Sequence, residues 1–173
     1  MNADETSNTI PPVTVQPTLS FTDRLLNIAR SQIGNEEIPH GSNWGKHVQK
    51  YLAAVGITFP ASWCMAMIYW CANEAAKESG TTNPLIKTGG VLRQWNEIGK
   101  DYKSKTPQRG SIFIMDFGKG LGHTGIVEKV NTDGTMATIE GNATTLSGSR
   151  EGVEVCRKTR NISACKGFIN INY

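Results

Sequence analysis

At 173 residues the chain is long enough for one domain with a real core and short for two. Its 38% hydrophobic and 19% charged residues are those of an ordinary globular protein. A net charge of +3 suits an anionic partner, but there is no basic stripe with interleaved aromatics, so nucleic-acid binding is not expected. No apolar run approaches the ~18 residues of a bilayer span, so no membrane span is expected either.

The opening stretch, MNADETSNTIPPVTVQPTLS, lacks a basic segment followed by an apolar one, which argues against a signal peptide. Its three prolines, several Ser/Thr and absence of aromatics predict a disordered tail over residues 1–19, native or left by processing or cloning. Residues 20–173 are read as a single domain. FTDRLLNIARSQIG sets Leu25, Ile28, Ala29 and Ile33 on one helical face, with Thr22 as cap and Gly34 as stop. After the polar loop NEEIPHGSN, WGKHVQKYLAAVG predicts a second helix with Val48, Tyr51 and Leu52 inward, ended by Gly56. In ASWCMAMIYWCA, Pro60 just upstream breaks the chain and Ser62 is placed to cap. Cys64, Met67, Ile68 and Cys71 then repeat at helical spacing as far as the polar NEAAKESG. TTNPLIKTGGVLRQWNEIGK reads as a loop and a short helix around Leu92 and Trp95. From Pro107 the signals become strands: SIFIMDF, HTGIVEKV, TMATIEGN, GVEVCRK and GFINI. Helices first and an antiparallel sheet after is an α+β order.

The four cysteines are Cys64, Cys71, Cys156 and Cys165, and no pair has C-x-x-C spacing. That spacing disfavours a zinc knuckle or a redox dithiol. Cys156 and Cys165 flank RKTRNISA, so they either bridge a hairpin or remain two reduced thiols. Cys64 falls at the first turn of its helix, where unpaired N–H groups and the positive end of the dipole stabilise an anion. A thiolate there is a nucleophile; on this segment alone a buried structural thiol is the commoner reading of the pattern. Cys71, two turns on, lies inside the helix and reads as core.

A nucleophile needs a base, and the three histidines are His40, His47 and His123. His40 and His47 lie in polar surroundings. His123 stands in GLGHTGIVEKV, at the mouth of a strand after a glycine-rich turn, a frequent place for a functional side chain. A four-residue loop around NTDG pairs Val130 with Thr135, which sets His123 opposite Asn142 and Glu140 opposite Gly125, all on one face. An acid and an amide on the histidine's face are suited to fixing an imidazole tautomer.

SWCMAMIYWC, GHTGIV and TIEGN, in that order and spacing, resemble the CHAP domain family (cysteine, histidine-dependent amidohydrolase/peptidase). The resemblance runs from about Phe21 onward. SQIGNEEIPHGSNWGKHVQKYL is similar to the family's opening helices and Glu-x-Pro loop, PQRGSI to its entry into the sheet, and GVEVCRKTR and KGFINI to its closing strands. The resemblance implies a papain-like fold, N-terminal helices packed on a C-terminal antiparallel sheet. Cys64 would be the nucleophile and His123 the base, oriented by Glu140 and also Asn142. Trp63, Gly122 and Trp95 are expected to bind substrate, with no cofactor and no metal. Two departures stand out: Ser111 replaces the usual Asp at the sheet entry, and Met65 and Met67 replace smaller or aromatic residues, which should reshape the groove. The implied activity is amide hydrolysis in the peptidoglycan stem peptide, by an antibacterial effector or a phage lysin. It would act in the periplasm or on the wall, delivered by a secretion system, phage lysis or an absent leader. A monomer is expected, with an immunity protein as partner if the chain is an effector. The alternatives are an NlpC-type endopeptidase and a noncatalytic wall-binding module on the same scaffold.

Overall fold

A computed structural model of the chain describes residues 18–145 and 152–171. Of the tail expected over residues 1–19, all but Thr18 and Leu19 lies outside the described residues.

Helix α1 (Phe21–Gln32) starts at a capping box. The Ser20 hydroxyl accepts from the Asp23 backbone N–H at 3.1 Å, and the Asp23 carboxylate accepts from the Ser20 N–H at 3.3 Å. The cap is therefore Ser20, not Thr22. The buried face is Phe21, Leu25, Leu26 and Ala29, while Ile28 and Ile33 only flank it. Helix α2 (Lys46–Ala54) buries Val48, Tyr51 and Leu52 as their spacing predicts. Helix α3 (Cys64–Ser79) runs from Trp63, which caps it with no side-chain hydrogen bond, to Gly80 in the left-handed conformation. Ser62 does not cap it; that side chain is exposed one residue too early. Helix α4 (Val91–Glu97) completes the helical half.

The sheet has six antiparallel strands: β1 (Lys103–Ser104), β2 (Ile112–Gly118), β3 (Leu121–Val130), β4 (Thr135–Ala143), β5 (Glu154–Asn161) and β6 (Gly167–Ile169). Their spatial order is β1-β6-β2-β3-β4-β5. One face of the sheet sends Ile112, Ile114, Ile126 and Ile139 into the helices, among Leu25, Leu52, Met67 and Ile68. Each such buried side chain contributes roughly 1.5–3 kcal/mol. The alternate residues form a second cluster on the opposite face: Phe113, Met115, Val127, Met136 and Phe168.

Two details place the site. Gly141 lies against α3 so closely that a Cβ there would sit 2.7 Å from the Trp63 ring and 3.1 Å from Met67. Only a residue without a side chain lets β4 approach the start of α3 this far. Between β3 and β4 the turn end pairs Val130 with Met136, one residue off the expected Thr135. A bulge at Glu128 absorbs the difference, so Val127 pairs with Thr138 and Ile126 with Ile139, the register expected from the sequence. At the sheet entry, Ser111 both accepts and donates, where an ionised acid could only accept. Its hydroxyl accepts from the Gln108 N–H at 2.9 Å and donates to Asn170 Oδ1 at 2.5 Å.

Candidate active site

Cys64 is the first residue of α3 and is nearly buried. Because no side chain caps this helix, its first-turn N–H groups are left without a side-chain partner where the thiol sits. His123 projects from β3, whose backbone pairs it with Met115 of β2. Its Nε2 lies 2.7 Å from Oε2 of Glu140, leaving Nδ1 as the ring nitrogen available to the neighbouring Cys64 side chain. Glu140 is fully buried on β4. The missing side chain at Gly125 makes room for it: a Cβ there would sit 2.7 Å from Glu140 Cγ. Sulfur, imidazole and carboxylate thus stand in a row.

The carboxylate has further partners. Thr138 Oγ1 donates to Oε1 at 2.6 Å, while Arg160 donates through Nε to Oε1 at 2.8 Å and through Nη2 to Oε2 at 2.6 Å. Burial alone would push the Glu140 carboxyl up; the hydrogen bonds and charges of Arg160 and His123 outweigh it and hold the carboxyl down at about 2. For His123, burial favours the neutral ring, but its interactions with Cys64 and with the Glu140 carboxylate outweigh it. They raise the imidazole to about 9, so the imidazolium is its form at neutral pH.

Cys64 and His123 line a cleft of about 930 Å³, with Glu140 buried behind the imidazole. Phe117 and Leu121, both exposed on the hairpin between β2 and β3, form an apolar lip. Lys158 and Arg160 supply cations on another wall, and Glu37 and Asn43 close the side facing the Glu-x-Pro loop. Among the described residues no cluster of His, Cys, Asp and Glu could hold a metal ion. No helix there is long and apolar enough to cross a membrane.

Of the residues expected from the sequence, Cys64, His123, Glu140, Asn142 and Gly122 all line the cleft or stand within this row. Asn142 lines the cleft beside the imidazole. The imidazole bonds to Glu140, and Asn142 occupies the irregularity between Glu140 and Ala143 with φ of 53°, a conformation that asparagine tolerates better than most residues. Trp63 does not reach the cleft. It is fully buried, its indole donates to Glu37 Oε1 at 2.8 Å, and its ring stacks on Tyr51 at 5.7 Å. Trp95 is also away from the cleft, packed over Gly167 with Lys103 Nζ 5.3 Å from its ring. Met65 and Met67 are fully buried, so they fill the core and do not line the groove. All four cysteines are free thiols; burial pushes Cys71 far up, and Cys156 and Cys165 up to about 11.

Arg160 and Thr138 were missed. Thr138 was in reach, since it shares a strand face with Glu140 by period two. Arg160 could not be placed, because its register depends on a long connection between β4 and β5. Glu37 stands in the Glu-x-Pro loop. It accepts from the Trp63 indole and from the Asn43 N–H at 3.0 Å, which ties that loop to the start of α3.

A family model, CHAP domain, matches residues 54–142. That span contains the thiol, the imidazole, the acid and the amide. Among solved structures, the chain is similar to the wild-type endolysin LysIME-EF1, with a TM-score of 0.55 and 16% identity over 90% of this chain and 66% of that one. It also matches an N-acetylmuramoyl-L-alanine amidase from Staphylococcus aureus, with a TM-score of 0.38 and 22% identity over 65% of this chain and 31% of the other. The chain therefore spans just under two thirds of the first structure and about a third of the second. No curated protein sequence matches it. At these identities the endolysin likeness speaks for the fold, which is α+β and papain-like.

Proposed function

The chain belongs to the CHAP domain family, and from that premise we propose that it is a cysteine-dependent peptidoglycan hydrolase cleaving an amide bond of the stem peptide. The observation that carries this reading is the row from Cys64 through His123 to the buried Glu140, opening on a cleft. An imidazolium within hydrogen-bond reach of a sulfur is the partner a thiolate nucleophile needs. The sulfur attacks the amide carbonyl carbon, and the electron pair displaced onto oxygen meets the first-turn N–H groups of α3. His123 delivers its Nδ1 proton to the departing nitrogen, the C–N bond breaks, and an amine leaves behind a thioester. The now neutral imidazole takes a proton from water, whose oxygen attacks the thioester. The C–S bond breaks and a carboxylic acid leaves, losing its proton to solvent, while the sulfur anion and the imidazolium are regenerated. Glu140 holds Nε2–H throughout, fixing the ring's orientation without reacting.

Membership of the CHAP domain family and the likeness to an endolysin support the bacterial wall as the substrate. Phage lysis and delivery as an antibacterial effector both suit a hydrolase acting on the wall or in the periplasm, and an effector calls for an immunity protein bound over the cleft. The test is digestion of purified peptidoglycan, read by muropeptide mass spectrometry, with the wild type and Cys64→Ala. We expect new termini from the wild type and a loss of about 1,000-fold or more from the variant. Digestion by both proteins, or by neither, would overturn the reading.

A further inference from the structure

We propose that Arg160 is a positioning residue of this site: its guanidinium fork fixes the Glu140 carboxylate and, through it, the ring of His123. The proposal rests on the Cys64, His123 and Glu140 reading and extends it to a residue on a different strand. Arg160 stands on β5 opposite Met136, so it reaches Glu140 diagonally across two strands. Both of its contacts are short, and each engages a different carboxylate oxygen. That bidentate match of a planar fork to a planar anion fixes rotation as well as position, which a lysine's point charge cannot do. The Glu140 side chain is 0% exposed and that of Arg160 is 28% exposed, so the fork seals the acid from the cleft and from water. Without it, one bond from Thr138 would be all that holds the carboxylate besides His123 itself.

The groups around this carboxylate are few. His123 faces it from β3, Cys156 and Arg160 from β5, and Cys165 from the turn before β6, while Cys64 of α3 meets it only through the imidazole. Of the other cations of β5, Lys158 is tied to the Thr144 carbonyl at 2.6 Å and Arg157 is held by Glu128. Arg160 is thus the single permanent cation on Glu140 among the described residues. It keeps the acid ionised and still while the imidazole gains and loses its proton.

Full-length Arg160→Met and Arg160→Lys, together with the double variant Glu140→Gln/Arg160→Met, test this. The first readout is the ¹³C titration of the Glu140 carboxyl. We expect the wild-type resonance to stay that of an ionised group down to acid pH and that of Arg160→Met to titrate at least about one pH unit higher. Arg160→Lys should keep most of the wild-type titration. In peptidoglycan digestion, Arg160→Met should lower kcat about 10- to 100-fold with KM nearly unchanged, and Arg160→Lys should recover only part of it. On the Glu140→Gln background the same Arg160→Met change should cost less than about threefold, since the fork then has no anion to hold. A wild-type titration and kcat in Arg160→Met, or a full additional loss in the double variant, would overturn the proposal. Should Arg160→Met fail to fold by circular dichroism, a wild-type kcat in Arg160→Lys would overturn it, and a reduced kcat with an unmoved titration would support it. The titration needs no substrate. A displaced carboxyl in a protein that digests no wall would therefore uphold the fork while refuting the hydrolase.

Discussion

Glu128 and Glu140 lie on neighbouring strands of one sheet, and each carboxylate is gripped by two cationic side chains. Glu128 accepts from Arg30 Nε at 2.7 Å and from Arg157 Nε at 2.8 Å; Glu140 accepts from Arg160 and faces His123. Both carboxyls are held down at about 2, each by guanidinium hydrogen bonds that outweigh burial. They differ in the second cation and in water. Around Glu128 both cations are permanent and partly solvated, with side-chain exposures of 36% and 54%, so the cluster can only tie α1 and β5 to the bulge in β3. At Glu140 one arginine is replaced by an imidazole that titrates, and the acid is sealed from solvent. On the function proposed above, one chemical pattern makes a rivet in one place and a proton-handling group in the other.

Substitution separates the two most strongly. Glu140→Ala should lower wall digestion by about 10- to 1,000-fold with the fold retained, while Glu128→Gln leaves digestion unchanged; assays of both on the same substrate check this. Equal losses would erase the distinction. The next largest effect is on pH dependence. His123 is raised from 6.5 to about 9, so its contribution to stability is fully present below pH 6.5 and is lost as pH rises through 9. Both glutamates are lowered from 4.5, so theirs is present above pH 4.5 and is lost as pH falls towards 2. Thermal melts should accordingly show a plateau between these limits. Digestion should fall about tenfold per pH unit above 9 as the leaving-group acid is lost. Glu140→Gln should weaken the alkaline decline in stability, and Glu128→Gln should leave that decline intact. A smaller effect is the stability of Glu128→Gln itself, expected about 1 kcal/mol below wild type by denaturant unfolding, because its arginines are well solvated. The smallest is salt: 1 M NaCl should shrink that difference to a few tenths of a kcal/mol while leaving the stability cost of Glu140→Gln largely intact.

Much of this was legible in the sequence. Val48, Tyr51 and Leu52 keep helical spacing and are all buried, and the period of two in β3 and β4 put His123 and Glu140 on one face. Local signals failed where tertiary contacts decide. Thr22 has the chemistry of a cap, yet Ser20 has it too and also has an acid three residues on. Strand β1 is two residues long and exists only because β6 pairs with it. Trp63 was read as a substrate contact from its place beside the thiol, but an indole with a buried acceptor at Glu37 and a ring to stack on turns inward. Arg160 was illegible for a different reason: no local pattern reveals how far β5 slides along β4.

The bulge at Glu128 has a practical consequence for engineering this hairpin. It takes up a one-residue offset between the tip, Asn131 to Gly134, and the paired segment that leads to the imidazole and its acid. Peptides spliced into that tip, such as an epitope or a fluorophore-labelling tag, would have their distortion absorbed before it reached the chemistry, so the tip is a tolerant handle on an otherwise unforgiving sheet.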